Sequence, residues 1–283
     1  MITVQTINDL RNKLNKYRLE GKSIGFVPTM GYLHEGHLSL VRASKNETDI
    51  TVVSLFVNPA QFGPSEDFDA YPRDTERDSK MLEDMDVDIL FLPALSEIYP
   101  KGFTTYVEVE KLGKVLCGRS RENHFRGVTT VVSKLFNIVG RCSAYFGRKD
   151  AQQATIIKKM VLDLNMEIRV RTLPIVRDPD GLALSSRNVY LSPSERQAAL
   201  CMQDALHYAE KKISEGLRDA KELVELISDR IKNEKAVTID YVEAVSLDNL
   251  EKIEVIEMNN TLVAAAIRVG RTRLIDNFIL GEI

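Results

Sequence analysis

Ser23-Ile24-Gly25-Phe26-Val27-Pro28, continuing as Thr29-Met30-Gly31-Tyr32-Leu33-His34-Glu35-Gly36-His37, is the stretch whose reading decides the fold. Its first half is a short apolar run of strand length. Gly31 and Gly36 then let the backbone bend and approach a ligand, and Leu38, Leu40 and Val41 begin a helical pattern. A strand that turns directly into a helix is the building unit of α/β sheets, and the unpaired N–H groups opening the helix favour an anion. His34 and His37, two of the chain's four histidines, sit on this turn. Imidazoles three residues apart on one helical turn can face the same cleft, donate hydrogen bonds to phosphoryl oxygens and stabilise charge that develops during displacement. The competing reading is a pair of surface or zinc-binding histidines. Zinc loses ground because Cys117, Cys142 and Cys201 cluster with nothing.

Working outward, strand-like runs recur at residues 50–57, 88–92, 144–146 and 168–176, with helical patterns between most of them. This alternation predicts an α/β fold with a mostly parallel sheet covered on both faces. In such sheets ligands sit beyond the carboxyl ends of the strands, and the informative motifs here all follow strands. Before the first of them, Thr6 reads as an N-cap, and Ile7, Leu10, Leu14 and Tyr17 follow at helical spacing until Gly21. Beyond Val176 the texture changes. Ser192-Pro193-Ser194-Glu195 has the cap, proline and glutamate of a helix start, and that helix should run to Gly216. A second helix over 220–233 leads to β-rich runs at 237–245, 261–269 and 272–280, the last two separated by Gly270-Arg271 as in a hairpin. Residues 1–176 are thus expected to form an α/β nucleotide domain and residues 177–283 a smaller α+β domain, with a substrate cleft between them.

At 283 residues the chain is long enough for one large or two unequal domains. A charged fraction of 28% and a hydrophobic fraction of 44% are those of a soluble globular protein. The formal charge of −3 argues against nucleic acid as the main partner, because such proteins usually carry a strong basic excess. No apolar run approaches the length that crosses a bilayer, and three scattered cysteines without a Cys-x-x-Cys pair suggest reduced core thiols. A cytoplasmic protein with neither membrane nor nucleic-acid partner is expected.

Three further segments carry chemistry. Asn58-Pro59-Ala60-Gln61-Phe62-Gly63 follows a strand, and Gln61 offers both a carbonyl and an NH2 group to a hydroxy acid. The loop over 63–69 has the composition of a movable lid. Gly147-Arg148-Lys149-Asp150-Ala151-Gln152-Gln153 repeats the layout of strand, glycine, polar turn and helix. There Lys149 can neutralise phosphate charge, Asp150 can accept from ribose hydroxyls, and Gln153 lies one turn further on the same side. Ala183-Leu184-Ser185-Ser186-Arg187-Asn188 offers two hydroxyls and a guanidinium, a cluster that suits a polyphosphate leaving group. Each also has a plain reading: a solvated loop, a capped helix, an interdomain turn with Arg187 in a salt bridge. His124-Phe125-Arg126-Gly127, preceded by Arg119 and Arg121, suits an anion or simply opens a helix. His207 belongs to a long amphipathic helix and reads as structural.

Taken in order, Pro-Thr-Met-Gly-x-Leu-His-x-Gly-His, Phe-Val-Asn-Pro-x-Gln-Phe, Phe-Gly-x-Lys-Asp-x-Gln-Gln and Ser-Ser-Arg-Asn resemble the pantothenate synthetase (pantoate–β-alanine ligase) family from the first strand through Leu191. Departures are small: Leu184 stands where methionine is common, and Arg148 and Ala151 occupy variable places. The resemblance implies a Rossmann-like nucleotidyltransferase domain, a smaller C-terminal lid domain, ATP as substrate with magnesium, and a homodimer. It implies that pantoate attacks the α-phosphate of ATP and that the pantoyl adenylate is opened by β-alanine, releasing AMP.

By the same resemblance His34 and His37 face the ATP phosphates, Lys149 stabilises the transferring phosphoryl group, and Ser185, Ser186 and Arg187 hold the polyphosphate. Gln61 and Gln153 hold pantoate, with Met30 and Asn58 lining that pocket. Gly147 and Asp150 approach the ribose, Val176 lies by the adenine, and Leu184 belongs to the ATP site. Tyr71, Arg73 and Asp78 fall in the neighbouring gate segment, where Asp78 reaches magnesium through water if any protein group does; no protein metal ligand is assigned. The alternatives are a nucleotidyltransferase that stops at a phosphorylated alcohol, which should show more cationic side chains in the acceptor site, and a nucleotide sensor, which would bind ATP without turnover. An aminoacyl-tRNA synthetase ranks last, since no basic RNA-binding appendage is present.

Overall fold

The computed structural model of the chain describes residues 1–64 and 66–280. Strand β1 (Ile2–Val4) is followed by α1 (Ile7–Leu19), β2 (Ile24–Thr29), α2 (Glu35–Glu47), β3 (Ile50–Leu55), α3 (Thr75–Asp84), β4 (Ile89–Phe91) and two short helices, α4 (Leu95–Ile98) and α5 (Cys117–Ser120). Helix α6 (His124–Val139), β5 (Cys142–Gly147), α7 (Ala151–Asp163) and β6 (Ile168–Leu173) complete the first half. The second half holds α8 (Pro193–Ser214), α9 (Ala220–Lys232), β7 (Val237–Ser246), β8 (Thr261–Val269) and β9 (Thr272–Leu280). Single 3-10 turns stand at Pro59–Gln61, Arg148–Asp150 and Ser186–Tyr190.

Strands β1 to β6 form one parallel sheet in the order β1-β4-β3-β2-β5-β6. Because side chains alternate along a strand, Phe26, Val52, Ile89 and Ala144 enter the core beneath α1 and α6, and their neighbours Val27, Val53, Leu90 and Tyr145 enter the one beneath α2 and α3. Both faces are therefore apolar, as the continuous hydrophobic runs predict. Strands β7, β8 and β9 form a separate antiparallel sheet. Val263, Ala265 and Ile267 of β8 pack toward α8 and α9, whereas Leu262, Ala264 and Ala266 pack against Leu116, Cys117 and Ile156 of the first half. The second sheet is clamped between its own helices and the first half, which brings β9 over the turn that follows β5.

The predicted α/β class and the β8–β9 hairpin are present, with three differences of detail. Strand β1 carries no sequence signal because three residues are too few to show a period. The run over 168–176 ends as a strand at Leu173, since Pro174 has no N–H for a ladder. His207 lies on the solvent face of α8 with a 77% exposed side chain. Ser65, within the loop read as a lid, lies outside the described residues.

Candidate active site

The histidine turn is held by its own backbone. Thr29 donates through Oγ1 to the carbonyl of Ser54 at 2.9 Å and accepts from the N–H of Gly31 at 3.1 Å. Gly31 (φ 86°) and Tyr32 (φ 50°) both take left-handed backbone, which folds the chain back so that α2 starts at the sheet edge. At the cap of α2, His34 Nδ1 accepts from the N–H of Gly36 at 3.2 Å, and His37 Nδ1 accepts from the N–H of His34 at 3.3 Å. With both Nδ1 atoms accepting, each neutral ring must carry its proton on Nε2. The rings lie 4.0 Å apart between centroids. Burial, and next the charge of Lys149, pulls the His34 pKa down to about 4. His37 is held well below its ordinary value by burial first, then by His34 and Lys149. The turn thus presents two uncharged N–H donors.

Opposite it, the 3-10 turn after β3 carries the acceptor amides. Asn58 is 1% exposed; its Nδ2 donates to Gln61 Oε1 and to the Gly127 carbonyl, both at 3.1 Å, while its Oδ1 accepts from Tyr99 Oη at 2.8 Å. Its amide is committed within the protein, so Asn58 lines the cavity as the support of Gln61 rather than as a free ligand group. Gln61 Nε2 reaches Met30 Sδ at 2.9 Å. Helix α6 meets this turn at Gly127, where a Cβ would stand 2.1 Å from the Ala60 oxygen, so only glycine allows the approach. His124, at the start of α6, bonds the Gln61 carbonyl through Nδ1 at 2.7 Å and meets Arg121 Nη1 through Nε2 at 2.9 Å. Burial, then Arg121, takes its pKa to about 3, leaving a neutral ring.

The third wall is the turn after β5. Lys149 Nζ lies 3.7 Å from Asp150. Asn277 of β9 donates through Nδ2 to the carbonyl oxygens of Arg148 and Lys149 at 3.0 and 2.9 Å. Gln153 faces the cavity, whereas Gln152 turns away to bond the main chain at Leu112, Val115 and Cys117. In the Ser-Ser-Arg-Asn segment, Ser185 Oγ accepts from the N–H of Arg187 at 3.3 Å and Ser186 Oγ donates to the Tyr32 carbonyl at 3.2 Å. Arg187 grips Asp67 with two hydrogen bonds of 2.9 and 2.7 Å and lies over the Tyr71 ring. Similarly Arg121 grips Glu66 with two bonds of 2.7 Å. Burial raises the Glu66 pKa, but this pairing outweighs it and leaves the carboxyl at about 2. The loop before Tyr71 is thereby pinned over the site by two adjacent carboxylates.

These walls enclose a cavity of about 230 Å³. Met30, His34, His37, Asn58, Gln61, Tyr71, Gly147, Lys149, Asp150, Gln153, Val176, Leu184, Ser185, Ser186 and Arg187 all line it. Lys149, Asp150, Ser185 and Arg187 also border an adjoining cleft of about 830 Å³ beneath the β8–β9 hairpin. Two expected residues do not line the cavity. Arg73 turns back on its own loop, donating to the carbonyls of Phe68, Asp69 and Tyr71. Asp78 lies in the first turn of α3, and its carboxylate is occupied by main-chain N–H groups of Tyr32 and Leu33. Asp78 therefore turns its carboxylate to the histidine turn and not into the cavity. Asp150 is the acidic residue among those that line the cavity, and the described residues contain no group of three His, Cys, Asp or Glu side chains able to hold an ion. The residues present do not make a protein metal site. Arg121 and His124 also line the cavity, and Asn277 supports it from the far end of the chain.

A profile of the pantoate-beta-alanine ligase family matches residues 2–279, nearly the whole chain. The chain belongs to that family. It is a ligase of the acid–amino-acid class, and its family forms pantothenate. The pantothenate synthetase of Acetivibrio thermocellus is 56% identical to this ligase over 280 residues, covering 99% of each chain. The crystal structure of pantothenate synthetase from Thermus thermophilus superposes with a TM-score of 0.93 at 42% identity, covering 98% of this ligase and 99% of that chain. The pantoate-beta-alanine ligase from Francisella tularensis, solved with beta-gamma ATP and beta-alanine, gives a TM-score of 0.80 at 34% identity, covering 99% and 97%. Among the described residues of this ligase no helix is long and apolar enough to cross a membrane.

Proposed function

We propose that the enzyme makes pantothenate in two steps inside this one cavity, with ATP as the activating substrate. A pantoate carboxylate oxygen attacks the α-phosphorus of ATP, the bond to pyrophosphate breaks, and pantoyl adenylate forms. The nitrogen of β-alanine then attacks the acyl carbon, the carbon–oxygen bond to AMP breaks, and the nitrogen loses a proton. Activation is needed because a carboxylate is a poor acceptor for an amine. No enzyme nucleophile is required, so catalysis rests on positioning, charge stabilisation and exclusion of water.

One observation carries this reading: two uncharged ring donors, Lys149 and the amides of Gln61 and Gln153 line a single cavity. His34 and His37 donate through Nε2 to phosphate oxygens, and Lys149 supplies the positive charge for the transferring phosphoryl group. Ser185, Ser186 and Arg187 hold the polyphosphate, Gly147 and Asp150 lie along the ribose, Val176 and Leu184 border the adenine side, and Met30 lies against Gln61. Gln61 and Gln153 pair with the hydroxyl groups and carboxylate of pantoate, and the cation beside them, Arg121, is already held by Glu66, so a phosphorylated acceptor would be served poorly. Magnesium would arrive with ATP, coordinated mainly by phosphate oxygens. The reading extends to a homodimer in the cytoplasm, with residues 177–283 as the cover of the site. Pyrophosphate exchange into ATP, with pantoate present and β-alanine absent, tests the adenylate; absence of exchange by enzyme that still makes pantothenate would rule it out.

A further inference from the structure

The turn that aims the two histidines contains a non-glycine residue, Tyr32, at φ 50°, a conformation that costs a side-chain-bearing residue roughly 1–2 kcal/mol. Its N–H groups cannot be satisfied by α2, which starts only at Glu35. They are met from elsewhere: Asp78 Oδ2 accepts from the N–H of Tyr32 at 2.6 Å and Oδ1 from that of Leu33 at 2.8 Å. The carboxylate is 1% exposed, and a Cβ on Gly31 would lie 3.2 Å from Oδ2. Arg77 donates to the Leu33 carbonyl at 2.8 Å, and Ser186 to that of Tyr32 at 3.2 Å. Every polar main-chain group of Tyr32 and Leu33 thus has a partner outside the turn.

We infer that Asp78 is the positioning residue of the histidine turn: its two oxygens fix the Tyr32 and Leu33 amides and so set the direction in which His34 and His37 present their Nε2–H groups. Helix α3 is therefore part of the phosphate-binding machinery without touching the ligand. Both carboxylate oxygens accept main-chain N–H groups, and Asp78 is not among the residues that line the cavity. Burial raises the Asp78 pKa against the lowering effect of the Leu33 and Tyr32 hydrogen bonds and of the Arg77 charge. The inference rests on the histidines being the phosphate donors proposed above, but its first readout needs no nucleotide.

The test is Asp78→Asn, which keeps the shape and replaces one acceptor by a donor facing a donor. Nitrogen-15 NMR of the imidazoles should show a single Nε2–H tautomer for His34 and His37 in the native enzyme and a tautomer mixture in the variant. Pantoate-dependent pyrophosphate exchange should fall on the order of 10²-fold, the effect of misplacing catalytic groups by about 1 Å, with the KM for pantoate unchanged. The magnesium dependence should also stay unchanged. Unaltered tautomers and exchange would overturn the inference, as would a displaced magnesium dependence with unaltered tautomers. If native enzyme shows no exchange, the adenylate reading fails while the tautomer result still decides the role of Asp78. Should Asp78→Asn prove insoluble, amide hydrogen exchange of the native enzyme decides: Tyr32 and Leu33 protected as deeply as the interior of α3 supports it, and free exchange at both overturns it.

Discussion

Asn277 Nδ2 donates to the carbonyl oxygen of Lys149 at 2.9 Å, across 128 residues of sequence. Strand β9 thereby fixes the turn that places the site's lysine. Asn277→Ala would leave the Arg148 and Lys149 carbonyls without that donor and should cost about 1–3 kcal/mol of stability. It should also lower kcat, because the Lys149 main chain is freed. Denaturant titration and steady-state kinetics on one preparation check both; a variant that loses stability but keeps full kcat would sever β9 from catalysis.

Lys149→Ala should separate function from folding. The side chain is 19% exposed and its ion pair is with the adjacent, half-exposed Asp150, so stability should change by only about 1 kcal/mol. Turnover should fall on the order of 10²–10³-fold, the usual effect of deleting a group that stabilises transition-state charge. Unchanged turnover would remove Lys149 from the phosphoryl site.

Gln61→Ala should raise the KM for pantoate by about tenfold, the effect of losing one or two neutral hydrogen bonds, and leave the KM for ATP alone. Initial rates with each substrate varied in turn make the measurement. A pantoate dependence that stays as it was would move the acceptor wall elsewhere.

The clasp between Arg187 and Asp67 predicts a gain. If the polyphosphate needs Arg187, it must first displace Asp67, so Asp67→Asn should lower the KM for ATP by about two- to fivefold, the worth of a partly exposed ion pair. Isothermal titration with a non-hydrolysable ATP analogue provides the check, and weaker binding would show that Asp67 belongs to the site rather than blocks it.

Stability should decline on the acid side. His34, at about 4, and His124, at about 3, bind protons more weakly in the folded chain than at the ordinary value of 6.5, and His37 shifts in the same direction. As pH falls through 6.5 the unfolded chain takes up protons first, so their contribution is complete above that value and is lost progressively down to about 4 and 3. Unfolding free energies measured on either side of pH 6.5 should show the drop, and a flat profile across this window would mean the rings are not buried as described.

What could be read in the sequence was what lies close along it. His34 with His37, Lys149 with Gln153, and Ser185 with Arg187 each stand on one strand–turn–helix or loop segment, so type and spacing reveal them. Asp78 and Asn277 could not be found that way, because the amides and carbonyls they meet are 46 and 128 residues away and carry no side-chain signal. Asn58 lines the cavity, as its place after β3 suggests, but its commitment to Gln61, Gly127 and Tyr99 depends on how α6 packs at Gly127. Among the elements, β1 was too short to show a period and β6 was cut by Pro174, whereas α8 and the β8–β9 hairpin announced themselves through a capping box and a Gly270-Arg271 break.

Strand β8 gives alternate residues to two different cores, one under α8 and α9 and one against the first half. Neither half can melt without stripping apolar surface from the other, so heating should produce one calorimetric peak instead of two.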